Sequence, residues 1–277
     1  MKRGKPWASL LALLIGSSVA THAGENGPLD ERFSIGLGAF FMSSDTSVRA
    51  DAFESGDIGT PFNFEDTFGL DDDNVFRVDA SWRMADRHVL RAMYFQSDRS
   101  RTAVLDRDIE FGDATFPLHA EVRGDFFFDI TELAYEYVFA NGDRYQLGGS
   151  FGIHNAGFRI GLRADLASPG GAASTRLDEA ASTNAPLPVL GLRGRWRIAE
   201  DLYVLAHAQY FSLSFDSYAG DLQDYEAALV WQLSQHVGLG VAYNQFRTEL
   251  ETRDREHFEG RLRWRYSGSQ LFMRMSF

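Results

Sequence analysis

The sequence predicts an all-β fold, a transmembrane antiparallel up-and-down β-barrel of about ten strands, on three observations. Along most of the chain, short runs alternate apolar side chains with small or polar ones. The connections between runs are alternately tight and long. The chain closes on SGSQLFMRMSF, where Leu271, Met273, Met275 and Phe277 share one face and Gln270, Arg274 and Ser276 the other, with only Phe272 out of pattern. A period of two marks a strand whose two sides meet different surroundings.

The elements follow in order. MKRGKPW is a basic stretch, ASLLALLIGSSVA an apolar run too short to span a bilayer as a helix, and THA or SVA a small-residue cleavage site. This is the pattern of a secretory signal peptide over residues 1–23, cut after Ala23, with Ala20 the alternative. Residues 24–277 are then the barrel. Removing the leader takes three basic residues and no acids, leaving 24 basic against 39 acidic side chains. Every remaining basic residue outside histidine is an arginine. That balance argues against nucleic acid as a partner. There is no cysteine, which excludes disulfides, zinc–thiolate sites and an acylated N-terminal cysteine.

Ten strands are read from the alternation. RFSIGLGAFF turns Phe33, Ile35, Leu37, Ala39 and Phe41 to one face, and VFRVDASWRM sets Phe76, Val78, Ala80, Trp82 and Met84 against Arg77, Asp79, Ser81 and Arg83. HVLRAMYFQ, ITELAYEYVF, YQLGGSFGI, PVLGLRGRWRI, LYVLAHAQY, DYEAALVWQL, VGLGVAYNQ and FEGRLRWRY…FMRMSF continue the series. Eight or twelve strands stay open, because a hairpin extension fits within Arg101–Gly124. The apolar set Leu262, Trp264 and Tyr266 is even and the set Leu271 to Phe277 odd. A β-bulge near Gly268 is therefore expected to bring both to the lipid face of one long last strand.

Tight turns at Ala85–Arg87, Ala140–Asp143, Ala199–Asp201 and Ser234–His236 oppose long polar stretches at about 43–74, 100–124 and 163–186. Trp82, Tyr137, Tyr145, Trp196, Tyr203 and Trp231 lie near the tight turns; Tyr94, Tyr210, Tyr225, Tyr243 and Trp264 lie toward the loops. Two aromatic belts at two membrane interfaces explain this clustering. With these features together, the chain from about Arg32 to Phe277 resembles a Gram-negative outer-membrane β-barrel protein. The resemblance implies an address, the cell outer membrane, with contact to its lipid and lipopolysaccharide. It also implies that Leu271, Met273, Met275 and Phe277 act as the signal read by the barrel-assembly machinery. A monomer is expected.

If the apolar face meets lipid, the other lines the lumen. The expected lumen charges are Arg77, Asp79, Arg83, Arg91, Glu132, Glu136, Arg193, Arg195, Arg197, Asp224, Glu226, Glu259, Arg261, Arg263 and Arg265. Basic rows fall mainly on strands 2, 6 and 10 and acidic rows on 4 and 8, so that Arg195 and Arg263 are expected to face Glu136 and Glu226. Opposed rows in a narrow interior should pair. A barrel of this size is filled by its own side chains, which favours a salt-bridged plug over an arginine eyelet for small anions. A non-enzymatic envelope protein is the leading expectation, a narrow anion channel the second and an outer-rim lipid hydrolase the third.

For the hydrolase, His154 and the pair His207–Ser212 are the candidates. No spacing matches the lipid A deacylases, phospholipases or aspartyl proteases of this architecture, and a lumen histidine bonded to a carboxylate is the more usual outcome. No cofactor and no metal are expected: the acidic first loop, from Asp45 to Asp73, lacks the glycine spacing of a calcium loop. The Phe residues of FGLDDD and RDIEFGDATFP are expected to fold their loops over the barrel mouth.

Overall fold

The computed structural model describes residues 27–52, 56–70, 72–167, 174–215, 218–254 and 258–277. The expected signal peptide lies outside the described residues, as do Glu54 and Asp71 of the acidic loop. Ten long strands form one sheet: β1 Phe33–Ala50, β2 Asp73–Ala85, β3 His88–Val104, β4 Glu121–Gly142, β5 Tyr145–Ala167, β6 Ser174–Ala199, β7 Leu202–Phe215, β8 Tyr218–Gln232, β9 Val237–Asp254 and β10 Phe258–Ser276. Each is antiparallel to its sequence neighbours, and β10 pairs with β1 to close the barrel. Closure leaves the long sheet without an open edge.

The strands reach well into the stretches expected as loops. β1 runs to Ala50, β3 to Val104, β5 to Ala167, and β6 starts at Ser174. The reason lies in what these extensions bury. Toward the short turns, apolar side chains such as Leu133, Phe151, Leu192, Leu229, Val241 and Leu271 stand exposed on the outside. Toward the loops, the inward positions of the same strands become apolar: Phe126, Phe128 and Ile130 on β4, Phe158, Ile160 and Leu162 on β5, Leu262, Trp264 and Tyr266 on β10. These join Phe40, Phe95 and Phe246 in a packed core inside the barrel. Burial of each such side chain contributes about 1.5–3 kcal/mol, enough to extend strands beyond the girdle.

This arrangement removes the expected bulge. β10 pairs with β1 from Ser34↔Ser276 to Ala50↔Gly260, and with β9 from Val237↔Met275 to Asp254↔Phe258, with no register shift on either side. Leu262, Trp264 and Tyr266 therefore point inward, not to lipid. Gly268 is there for close approach: a Cβ would sit 2.1 Å from the Phe41 carbonyl oxygen and 2.9 Å from the Phe40 ring. The bulges that do occur lie near the short turns, at Arg83/Ala85, Val138/Ala140 and Leu202/Tyr203.

Two loop elements continue the inner core. Between β1 and β2, the helix α1, Phe64–Phe68, is capped by the Asn63 side chain, which accepts from the Asp66 amide at 2.8 Å. It lays Phe64 and Phe68 where a Cβ on Gly124 would meet both rings at 2.9 and 2.8 Å. Glu65 is not a solvated charge: Arg99 at 3.1 Å and Thr46 N at 2.6 Å hold it. Between β3 and β4, a small hairpin pairs Ile109–Phe111 with Ala114–Phe116 and buries Ile109, Phe111 and Phe116. Phe62 and Phe111 meet edge to face at 6.1 Å, tying the two loops together.

Candidate functional site

The polar half of the interior is built on the inward positions nearest the short turns. Its floor is the segment before β1. A turn with Asp30 and Glu31 amides donating to the Gly27 carbonyl at 2.9 and 3.0 Å brings Leu29 and Glu31 inside, both about 4% exposed. Arg274 forms an ion pair with Glu31, and Ser276 Oγ donates to it at 2.8 Å. Arg83 donates to the Leu29 and Glu31 carbonyls at 2.9 and 3.2 Å. Leu29 packs with Tyr203, Val230 and the inward Phe272.

Above the floor, Glu136 is fully buried between two guanidinium groups, Arg91 Nε at 2.7 Å and Arg195 Nη2 at 2.6 Å. Gln146 Oε1 links Arg195 to Arg83, accepting from each at 3.0 Å. A second network lies higher. Arg193 pairs with Glu132 at 2.8 Å, His207 Nε2 meets Asp224 at 3.1 Å, and Arg77 pairs with both Asp79 and Glu226 at 2.9 Å. Such buried pairs are costly to desolvate and hold only when both partners are present. A cavity of about 100 Å³ lies among these groups, lined by Arg77, Asp79, Arg91, Glu132, Arg195 and Glu226 among others.

Most of the expected charges thus meet inside the barrel, and five do not. Arg197 lies at the short-turn rim and donates to the Asp143 carbonyl at 2.9 Å. Glu259, Arg261, Arg263 and Arg265 stand on the outer wall, opposite in parity to the buried Leu262, Trp264 and Tyr266. Arg261 and Arg263 share Glu249, the latter at 3.0 Å, and Arg265 pairs with Asp45 at 3.0 Å. Water bathes this part of the outside, so charge belongs there. Arg195 does pair with Glu136, but Glu226 pairs with Arg77 across the barrel and not with Arg263. Tyr203 and Trp264, expected in the aromatic belts, are buried inside. Trp82, Tyr137, Tyr145, Trp196, Trp231, Tyr210, Tyr225 and Tyr243 are exposed on the outside.

Sequence reasoning missed Glu31, Gln146 and the role of Arg274. The only available signal was Arg274 on the inward face of the last strand; nothing local marked a carboxylate before β1 as its partner. The histidine candidates also resolve. Ser212 is exposed on the opposite face of β7 from His207, so the two do not form a nucleophile–base pair. His154 is fully buried, with its ring 5.2 Å from that of Phe246, and neither ring nitrogen has a hydrogen-bond partner. That differs from the carboxylate-bonded histidine expected.

No protein-family model matches the chain, and no curated protein matches it either. Among solved structures, the outer membrane protease OmpT from Escherichia coli superposes with a TM-score of 0.59 at 12% identity, over 90% of this chain and 98% of that one. The toluene transporter TodX of Pseudomonas putida matches at 0.33 and 11%, over 89% of each chain. Ail, the attachment invasion locus protein of Yersinia pestis, matches at 0.33 and 11%, over 87% of this chain and 97% of that one. The last two superpose too loosely to support any inference. The likeness to OmpT is one of fold: this chain is a closed ten-strand antiparallel β-barrel of the kind found in Gram-negative outer membranes.

Proposed function

We propose that this protein is an integral outer-membrane protein with a sealed lumen, a non-enzymatic component of the cell envelope. Its short turns face the periplasm and its extended loop end stands outside the cell. The observation that carries this reading is the double filling of the interior. Paired charges occupy the girdle, and above them Trp264, Phe246, Phe126 and Phe128 are packed to near-zero exposure. An ion moving along the axis meets first a closed salt-bridge network and then a dry aromatic core, each an unfavourable medium for a bare charge. Lipid covers the apolar girdle, lipopolysaccharide meets the charged outer wall, and the chain works as a monomer.

Single-channel recording in planar bilayers tests the seal: the wild-type barrel is expected to be electrically silent. A steady anion-preferring conductance would replace this reading with the narrow channel. The lipid-hydrolase alternative has no nucleophile–base pair in His207 and Ser212 to support it. Mass spectrometry of lipids from knockout and wild-type membranes should show no difference. For assembly, Phe277 exchanges backbone hydrogen bonds with Phe33 at 2.8 and 2.9 Å and leaves its ring exposed. Deleting it should sharply lower the amount of heat-modifiable barrel while export continues; undiminished barrel would remove the signal role.

A further inference from the structure

We propose that Glu132, His154 and Asp224 form a site for one divalent first-row transition-metal cation such as Zn²⁺, Mn²⁺ or Fe²⁺, buried in the barrel beneath the aromatic core. The three residues come from β4, β5 and β8, all fully or nearly fully buried. One ligand atom from each lies within 4.8 Å of the others. Ligand atoms about 2.0–2.2 Å from one ion can be at most about 4.4 Å apart, so small side-chain adjustments complete the site. One imidazole and two carboxylates suit a borderline cation better than magnesium or calcium, which take oxygen alone.

Two features separate this cluster from an ordinary buried ion-pair network. The first is His154 itself, which has no hydrogen bond at either nitrogen; a buried polar group in that state costs stability unless something completes it. The second is that both carboxylates are already oriented from outside. Arg193 and Gln209 hold Glu132 at 2.8 and 2.7 Å, and His207 and Asn244 hold Asp224 at 3.1 and 2.9 Å. Outer partners of this kind fix first ligands in metal sites. The free amide oxygens of Gln209 and Asn244 are also buried without partners.

The polar cavity below is lined by Glu132 and His207, so it adjoins the site.

The test uses tag-free, full-length folded protein in detergent, freed of metal with a chelator and titrated with Co²⁺. One equivalent is expected to bind with visible d–d absorption and to be displaced by Zn²⁺. His154→Ala should weaken this by more than about 100-fold, beyond the ~10–100-fold that loss of an outer partner costs. Gln209→Ala should fall within that smaller range. If His154→Ala does not fold, X-ray absorption on the wild-type Zn²⁺ form decides: one imidazole nitrogen with oxygen ligands supports the site, and zero or several imidazoles overturn it. Failure of the wild type to bind any of Co²⁺, Zn²⁺, Mn²⁺ or Fe²⁺, binding unchanged in a folded His154→Ala, or ¹⁵N spectra showing a doubly protonated His154 at neutral pH would each overturn it.

Discussion

The half of the barrel near the short turns and the half near the loops use the same alternation with opposite contents. On β10, the outward residues pass from Leu271, Met273 and Phe277 to Arg261, Arg263 and Arg265, while the inward ones pass from Gln270 and Arg274 to Leu262, Trp264 and Tyr266. β4 makes the same exchange, from outward Leu133 and Tyr137 to Arg123 and Asp125, and from inward Glu132 and Glu136 to Phe126 and Phe128. The backbone does not change hand or register at the crossing. What changes is the outer solvent, from lipid to water, and the interior inverts with it. One half is a membrane protein with a polar inside; the other is a water-soluble barrel with an oily inside, built on the same strands.

The comparison is broken most severely at the buried charges. Glu136→Gln keeps the shape and leaves Arg195 uncompensated, a loss of about 3–5 kcal/mol in urea unfolding from liposomes. Replacing Glu136 and Arg195 together by leucine should cost less than the sum of the two single changes. Near-additive, negligible effects would mean that water reaches these groups. Next in size is the outer wall. Leu229→Arg, within the girdle, should cost about 2–4 kcal/mol. The mirror substitution Arg263→Leu, on the water-bathed wall, should stay within about 0.5 kcal/mol. Spin labels at the two positions sharpen this: hydrocarbon at 229 and water at 263 are expected, and the same environment at both would erase the boundary between the halves.

The smallest expected effect is a pH dependence on the outer wall. Burial alone would raise the Glu249 pKa, but hydrogen bonds and charges from Arg263 and Arg261 outweigh it and hold it below the ordinary carboxylate value. A lowered folded pKa contributes stability above the unfolded carboxylate pKa and loses it as pH falls through the folded value. The wild type should therefore be slightly more stable than Glu249→Gln at neutral pH, and the difference should shrink as pH falls below about 4.5. A difference of equal size at pH 7 and pH 3 would mean that Glu249 acts through packing rather than charge.

Strand number, order and closure were legible because a period of two is independent of what lies on either side. The girdle was legible too: Leu192, Leu229 and Leu271 need lipid to explain them. The outward facing of Arg261, Arg263 and Arg265 was not. An alternating run carries no label saying which solvent its apolar face meets, and Leu262, Trp264 and Tyr266 fit lipid as well as a protein core. The two sets of opposite parity on one strand were the available clue, and a change of surroundings explains them without the bulge. The pairing of Glu31 with Arg274 was beyond reach for another reason: the partners are 243 residues apart and only closure joins them.

That last pair has a consequence for how the molecule is completed. Glu31 stands before the first strand, and its partners Arg274 and Ser276 stand on the last. Until those two strands zip together, Glu31 has no Arg274 to pair with, and Leu29 has no Phe272 to rest against. Sealing the bottom and joining the seam are therefore coupled, and the segment before β1 serves as the stopper. A barrel stalled one strand short would hold this segment less tightly, and a protease could cut it more readily. Resistance of residues 27–32 to cleavage is thus a direct gauge of whether the cylinder has finished closing.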